Sequence, residues 1–115
     1  MAPSSRVGWI LCHREGEGRR TVSEHGCQQR ELYYAGRVQG IGFRYTVRSL
    51  ATGFDVTGFV RNLPDGRVHL AVEGATDEID KFLDAVKVEM GYYIKEIEQT
   101  ERPASGRFPG FEIRH

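Results

Sequence analysis

From Glu31 onward, apolar residues recur with two alternating periods, and turn residues fall between the regular pieces. ELYYAGR, Glu31 to Arg37, sets Leu32 and Tyr34 on one face and reads as a strand. Phe43, Val47, Leu50, Ala51 and Phe54 follow at helical spacing, with Gly53 placed to end the helix. DVTGFVRN, Asp55 to Asn62, alternates again, and LPDG supplies the Pro and Asp-Gly chemistry of a hairpin turn. Val68, Leu70 and Val72 form the cleanest alternation, closed by Gly74. A second helix is predicted from Thr76 to Met90, with Ile79, Phe82, Leu83, Val86 and Met90 on one face. Asp77 and Glu78 suit its positive end, and Gly91 follows it. Ile94 to Thr100 is a weaker strand, ERPASGRFPG a loop, and FEIRH a closing strand with Phe111 and Ile113 facing alike.

The order β-α-β-β-α-β plus a short C-terminal strand predicts the α+β class. The expected architecture is a ferredoxin-like split βαβ sandwich, one sheet with two helices on one face. Before that pattern the chain is rich in Gly, Ser, Glu and Arg, with REGEGRR as its plainest low-complexity piece. Residues 1–30 are therefore expected to form an N-terminal extension outside a domain spanning 31–115.

Composition narrows the functional classes. A chain of 115 residues is one domain's worth. Sixteen basic and sixteen acidic residues give zero formal net charge, which argues against a nucleic-acid partner held by a broad basic face. Cys12 and Cys27 are too few for a disulfide framework. With His13 and His25 they lack the spacing of a zinc site, so no metal is expected. The longest apolar run near the N-terminus, VGWILC, is short for a signal-peptide core and for a membrane span. A soluble cytoplasmic protein without a membrane partner is expected.

The densest local chemistry is GRVQGIGFR, Gly36 to Arg44, which joins a strand to a helix. Free N–H groups at a helix N-terminus attract anions. Gly40 and Gly42 permit positive φ, so successive amides can converge as a nest. Arg44, in the first helical turn, offers a bidentate fork for phosphate or carboxylate. The same residues also fit a plain strand-to-helix connection with both arginines in solvent, and the residues alone leave both readings open. A dinucleotide fingerprint fails because Tyr45 stands where its last glycine belongs, and a Walker loop lacks its Gly-Lys-Ser/Thr. Asn62, just before LPDG, either bonds the backbone of the turn or faces the glycine loop. The second option follows if the first and third elements of the pattern lie side by side. His69 falls on the face opposite Val68, Leu70 and Val72 and is expected to be exposed.

GRVQGIGFR together with GFVRNLPDGRV, Gly58 to Val68, resembles the paired signature of the acylphosphatase family, and the likeness extends over the 85 residues from Glu31 to His115. The resemblance implies an enzyme that hydrolyses acyl phosphates to carboxylate and inorganic phosphate. It implies phosphate binding by the amides of Gln39, Gly40, Ile41, Gly42 and Phe43 with the side chain of Arg44. Arg44 would be the catalytic arginine and Asn62 the residue that positions water. No metal, cofactor or covalent intermediate is implied, and the water's proton would pass to the substrate's own phosphate oxygen. The partner would be a small-molecule acyl phosphate; a monomer is expected. MGYYIKEI, between the second helix and the fourth strand, lacks the Gly-Pro step usual in the family and is expected to lie away from the phosphate loop. The alternative is a non-catalytic ferredoxin-like module binding an anion or ligand, since fold alone does not decide function. An RNA-recognition sheet would need more stacking aromatics than the single Phe59 of GFVRNLPDG. A third reading, the acylphosphatase-like domain of a carbamoyl-transferring maturation protein, implies further domains with cysteine-rich zinc modules.

Overall fold

A computed structural model of the chain describes residues 27–115. Its sheet has the strand order β4-β1-β3-β2-β5, built from β1 Cys27–Gly36, β2 Val56–Asn62, β3 Val68–Ala75, β4 Ile94–Pro103 and β5 Phe111–Arg114. Helix α1, Phe43–Ala51, links β1 to β2. Helix α2, Thr76–Met90, with a 3-10 turn at Gly91–Tyr93, links β3 to β4. Neighbours pair antiparallel except β2 and β5, which run parallel. This is the expected α+β split βαβ sandwich. No helix among the described residues is long and apolar enough to cross a membrane.

Packing follows the periodicities. Phe43, Val47 and Ala51 of α1 and Ile79, Phe82, Val86 and Met90 of α2 meet Leu32, Tyr34, Val60, Val68, Leu70 and Val72 in one core. β3 lies between β1 and β2 and buries seven of its eight residues, which makes it the fixed centre of the sheet. β4 is an edge strand whose Lys95, Glu96, Glu98, Glu101 and Arg102 keep its open side polar, a usual guard against edge pairing.

Several expectations are corrected. β1 begins at Cys27, four residues ahead of the expected Glu31. CQQR has no apolar alternation to reveal a strand; Arg30 nevertheless occupies a buried position, paired with Asp80 of α2 at 2.7 Å. β4 continues to Pro103 rather than stopping at Thr100. α1 ends at Ala51, and Phe54 reaches the core from the following turn, its ring 6.0 Å from Phe82. β1 and β2 are not side by side, because β3 separates them. The rest of the N-terminal extension, with Cys12, His13 and His25, lies outside the described residues.

The second face of the sheet carries no helix and is covered differently. Glu73 is fully buried there, and its carboxylate accepts from Ser105 N at 2.7 Å, Ser105 Oγ at 2.6 Å and Gly106 N at 2.9 Å. These bonds draw the β4–β5 loop over the sheet, where Phe108 packs edge-on against Phe59 at 5.7 Å. His69 is buried, not exposed as expected. Its ring stacks on Tyr33 at 4.6 Å, meets Phe59 edge-on at 5.2 Å and accepts from Arg61 Nε at Nδ1, 3.2 Å. Alternation assigned the face correctly; the burial comes from Tyr33 and Phe59 on the neighbouring strands β1 and β2.

Two outcomes are expected. Glu73→Ala leaves three donors without their acceptor, at a cost of about 2–4 kcal/mol. In a domain of this size that lowers Tm by roughly 10–20 °C, and amide exchange should rise at Ser105 and Gly106. An unchanged Tm would show that the loop holds without the carboxylate. The second concerns His69, whose pKa is held below its ordinary value by burial first and by the Arg61 charge next, against an opposing pull from Glu31. The unfolded chain, with its imidazole near the usual value of about 6.5, then binds the proton more readily. Stability should be complete above that value and fall as pH drops through the lowered folded value. The urea midpoint followed across this range should decline in the parent and less so in His69→Phe; parallel profiles would count against this account.

Candidate active site

The glycine-rich stretch leaves β1 at Gly36 and enters α1 at Phe43. Gly40 and Gly42 have φ of 78° and 82°, while Ile41 between them has no positive φ. Alternating sign in consecutive residues turns successive N–H groups toward one side, the geometry of an anion nest. Gly42 is the N-cap of α1 in a left-handed conformation and brings no capping side chain. Among the described residues, no carbonyl or side chain accepts a hydrogen bond from the N–H groups of residues 38–43.

The two helices handle their positive ends differently. α2 carries Asp77 and Glu78 in its first turn, and Glu78 Oε1 also accepts from Asp55 N at 2.9 Å. α1 has no acidic residue in its first turn and places Arg44 there instead. Positive charge is thus added to an already positive helix end, an arrangement that favours a bound anion. Arg44 forms no ion pair with any described residue. Its guanidinium makes only long contacts, both 3.4 Å, to Arg114 O and His115 Nδ1 at the end of β5.

The first half of the loop is anchored at two places. The Gln39 side chain donates to Leu63 O at 2.9 Å and to Arg67 O at 3.0 Å, stitching the loop to the β2–β3 hairpin. Arg37 N donates to Tyr93 O at 2.9 Å. The junction after α2 therefore abuts the root of the loop, contrary to the expectation that it lies away from it.

A pocket of about 120 Å³ opens here, lined by Val38, Gly40, Gly42, Phe43, Arg44, Tyr45 and Asn62. Arg44 and Asn62, expected from two separate motifs, thus share one cavity. Gln39 and Ile41 stand outside its lining: Gln39 turns its side chain to the hairpin, and Ile41 is exposed. Val38 and Tyr45 are site residues that pattern reading passed over. Val38 sits in an irregular stretch where no period marks it, yet it is fully buried beneath the loop. Tyr45 lies off the apolar stripe of α1, and an aromatic on the polar side of a helix was its one available signal.

Asn62 is not needed by the turn that follows it. Leu63 N donates to Arg67 O at 2.8 Å, and Asp65 accepts from Arg67 N at 3.0 Å and from Arg67 Nε at 2.9 Å. Asp65 takes the turn-shaping role, and this lowers its pKa. Asn62 Oδ1 is buried without a hydrogen-bond partner. A buried acceptor left open in this way calls for a donor that enters the pocket.

The chain is similar to known proteins in both sequence and fold. Residues 30–113 match the family model described as Acylphosphatase. A protein named acylphosphatase from Rubrobacter xylanophilus is 37% identical over 105 residues, which cover 90% of this chain and 93% of that protein. One of the same name from Archaeoglobus fulgidus is 51% identical over 57 residues, half of this chain and 64% of its own length. The crystal structure of acylphosphatase from Bacillus subtilis superposes with a TM-score of 0.71 at 34% identity, covering 76% of this chain and 99% of that one.

Inorganic phosphate should bind in the pocket, and Arg44→Ala should weaken that binding by at least about tenfold, the scale of one charge-assisted contact. Titration calorimetry on the folded variant measures it. Arg44→Lys should recover only part of the loss, because an ammonium cannot span two oxygens as the planar fork does. Equal affinity in all three proteins would mean that Arg44 is not part of the anion site.

Proposed function

The chain belongs to the acylphosphatase family, and from that premise we propose that it hydrolyses acyl phosphates to a carboxylate and inorganic phosphate. The observation that carries the proposal is the meeting of Arg44, Asn62 and the open amides of the Gly40–Gly42 turn in one pocket.

The chemistry asked of the site is modest. An acyl phosphate already has a good leaving group, so positioning and charge stabilisation suffice, as in phosphoryl transfer generally. The loop amides, those of Gln39, Gly40, Ile41, Gly42 and Phe43, hold the phosphoryl oxygens together with the N-terminal dipole of α1. Arg44 spans two of those oxygens and stabilises the charge that spreads over them in the transition state. Its lack of an acidic partner supports this role, since no internal carboxylate must be displaced.

Asn62 orients the attacking water. Its Oδ1 accepts one water O–H, which aims the oxygen lone pair at phosphorus, and the open acceptor on Asn62 supports this part. As water adds to phosphorus, the bond to the bridging oxygen breaks and the carboxylate leaves with its electron pair. A neutral amide is too weak a base to keep the proton, so the proton passes to a phosphoryl oxygen. We further propose that the protein acts as a soluble cytoplasmic monomer on a small-molecule substrate.

Benzoyl phosphate tests the reaction directly. The full chain with EDTA present should release benzoate and phosphate well above the spontaneous rate, and failure to do so would reduce the site to an anion binder. Asn62→Ala should bind inorganic phosphate about as well as the parent, because the loop and Arg44 remain. Its kcat should fall about a hundredfold or more, the signature of a contact made only in the transition state. A folded Asn62→Ala protein with parental kcat would remove Asn62 from the mechanism.

A further inference from the structure

The pocket of about 120 Å³ opens to solvent, and the reading above seats the phosphoryl group in it against the loop amides and Arg44. The acyl group must therefore lie at the mouth. In-line displacement sets its direction, because nucleophile and leaving group stand on opposite sides of phosphorus. With the water held by Asn62 from β2, the leaving carboxylate points toward the remaining wall, formed by the loop and the first turn of α1.

That wall is apolar at its rim. Of the five large hydrophobic side chains exposed among the described residues, two stand here: Tyr45, 67% exposed, and Ile41, 38% exposed. A lone exposed aromatic is ordinary on a protein surface. Tyr45 differs because it also lines the pocket beside Arg44. It is also the one tyrosine whose ring meets no other ring or guanidinium among the described residues. Tyr33 stacks on His69, Tyr34 packs against Phe43, and Tyr92 and Tyr93 pack against each other. A ring face stands unused where the leaving group must emerge.

We propose that Tyr45, with Ile41 on the adjoining loop, forms a subsite for the acyl group that favours flat apolar acyl phosphates, aromatic ones above all. The inference rests on the acyl phosphate reading of the pocket and adds its substrate preference. Stacking on Tyr45 removes apolar surface of both partners from water and adds the ring–ring attraction of an offset pair. A short acyl group such as acetyl leaves the tyrosine face wet and gains little.

Methylene analogues that cannot be hydrolysed separate this preference from turnover. In calorimetry, the parent should bind phenacylphosphonate about tenfold more tightly than acetonylphosphonate, a ratio consistent with one aromatic contact. In Tyr45→Ala the ratio should shrink to about twofold, and Tyr45→Phe should restore it, since the ring rather than the hydroxyl is responsible. Equal binding of both phosphonates by the parent would overturn the subsite, as would an undiminished ratio in Tyr45→Ala. Equal losses for both phosphonates in Tyr45→Ala would instead assign the residue to the phosphoryl clamp, and would overturn it too. A parent that shows the binding preference yet hydrolyses neither benzoyl nor acetyl phosphate would retain the subsite while the hydrolytic reading fails. Turnover of both acyl phosphates without a Tyr45-dependent ratio would do the reverse.

Discussion

Val68 pairs with Tyr34 of β1 on one side and with Asn62 of β2 on the other, and the site depends on this double register. It brings the ends of two strands that do not touch to the same level of the sheet, with β3 as the spacer. The loop leaving β1 and the asparagine ending β2 then meet over one edge of the core. Side chains alternate along a strand, so Asn62 shares the helix-facing side with buried Val60, while Arg61 points to the other face. A slip of one residue would exchange Asn62 for Arg61 in the pocket. β3 resists such a slip because it is buried almost throughout, and a one-residue step would move Val68, Leu70 and Val72 out of the core.

The electrostatics of the molecule are neutral in sum and uneven in detail. Arg67 pairs with Asp65 and Arg114 with Glu112, and buried Arg30 pairs with Asp80. Arg44 has no carboxylate partner among the described residues, and it sits at a helix end that has no acid of its own. Screening by salt weakens surface pairs more than a charge backed by converging amides in a recess.

Support for Arg44 extends to the opposite face of the sheet. Glu73 ties down the β4–β5 loop, and Gly58 N donates to Gly110 O at 3.0 Å as that loop ends. β5 can then pair in parallel with β2, from Gly58 with Phe111 to Arg61 with Arg114. The carbonyl of Arg114 and the ring of His115 are thereby brought against the Arg44 guanidinium. Glu73 itself does not line the pocket.

Much of this was legible in the order of residues. The periods of 2 and 3.6 gave α2 its limits and marked the core faces of β1, β2 and β3, because burial on one side of a regular element leaves a repeating trace. The two motifs pointed to Arg44 and Asn62, since glycines beside an arginine at a helix start are a local signal. What local pattern could not carry was decided in three dimensions. The start of β1 was hidden because Arg30 is buried through an ion pair to α2, and a polar strand leaves no apolar trace. His69 was expected in solvent because the rings that bury it, Tyr33 and Phe59, reach it from the two neighbouring strands β1 and β2. The contacts that make a site of the loop are also non-local: Gln39 reaches the hairpin carbonyls, Arg44 touches the end of β5, and Asn62 faces its pocket across an intervening strand. Periodicity reports which side of an element is buried; which distant segment buries it, and which polar atoms are left open there, depends on how the elements assemble.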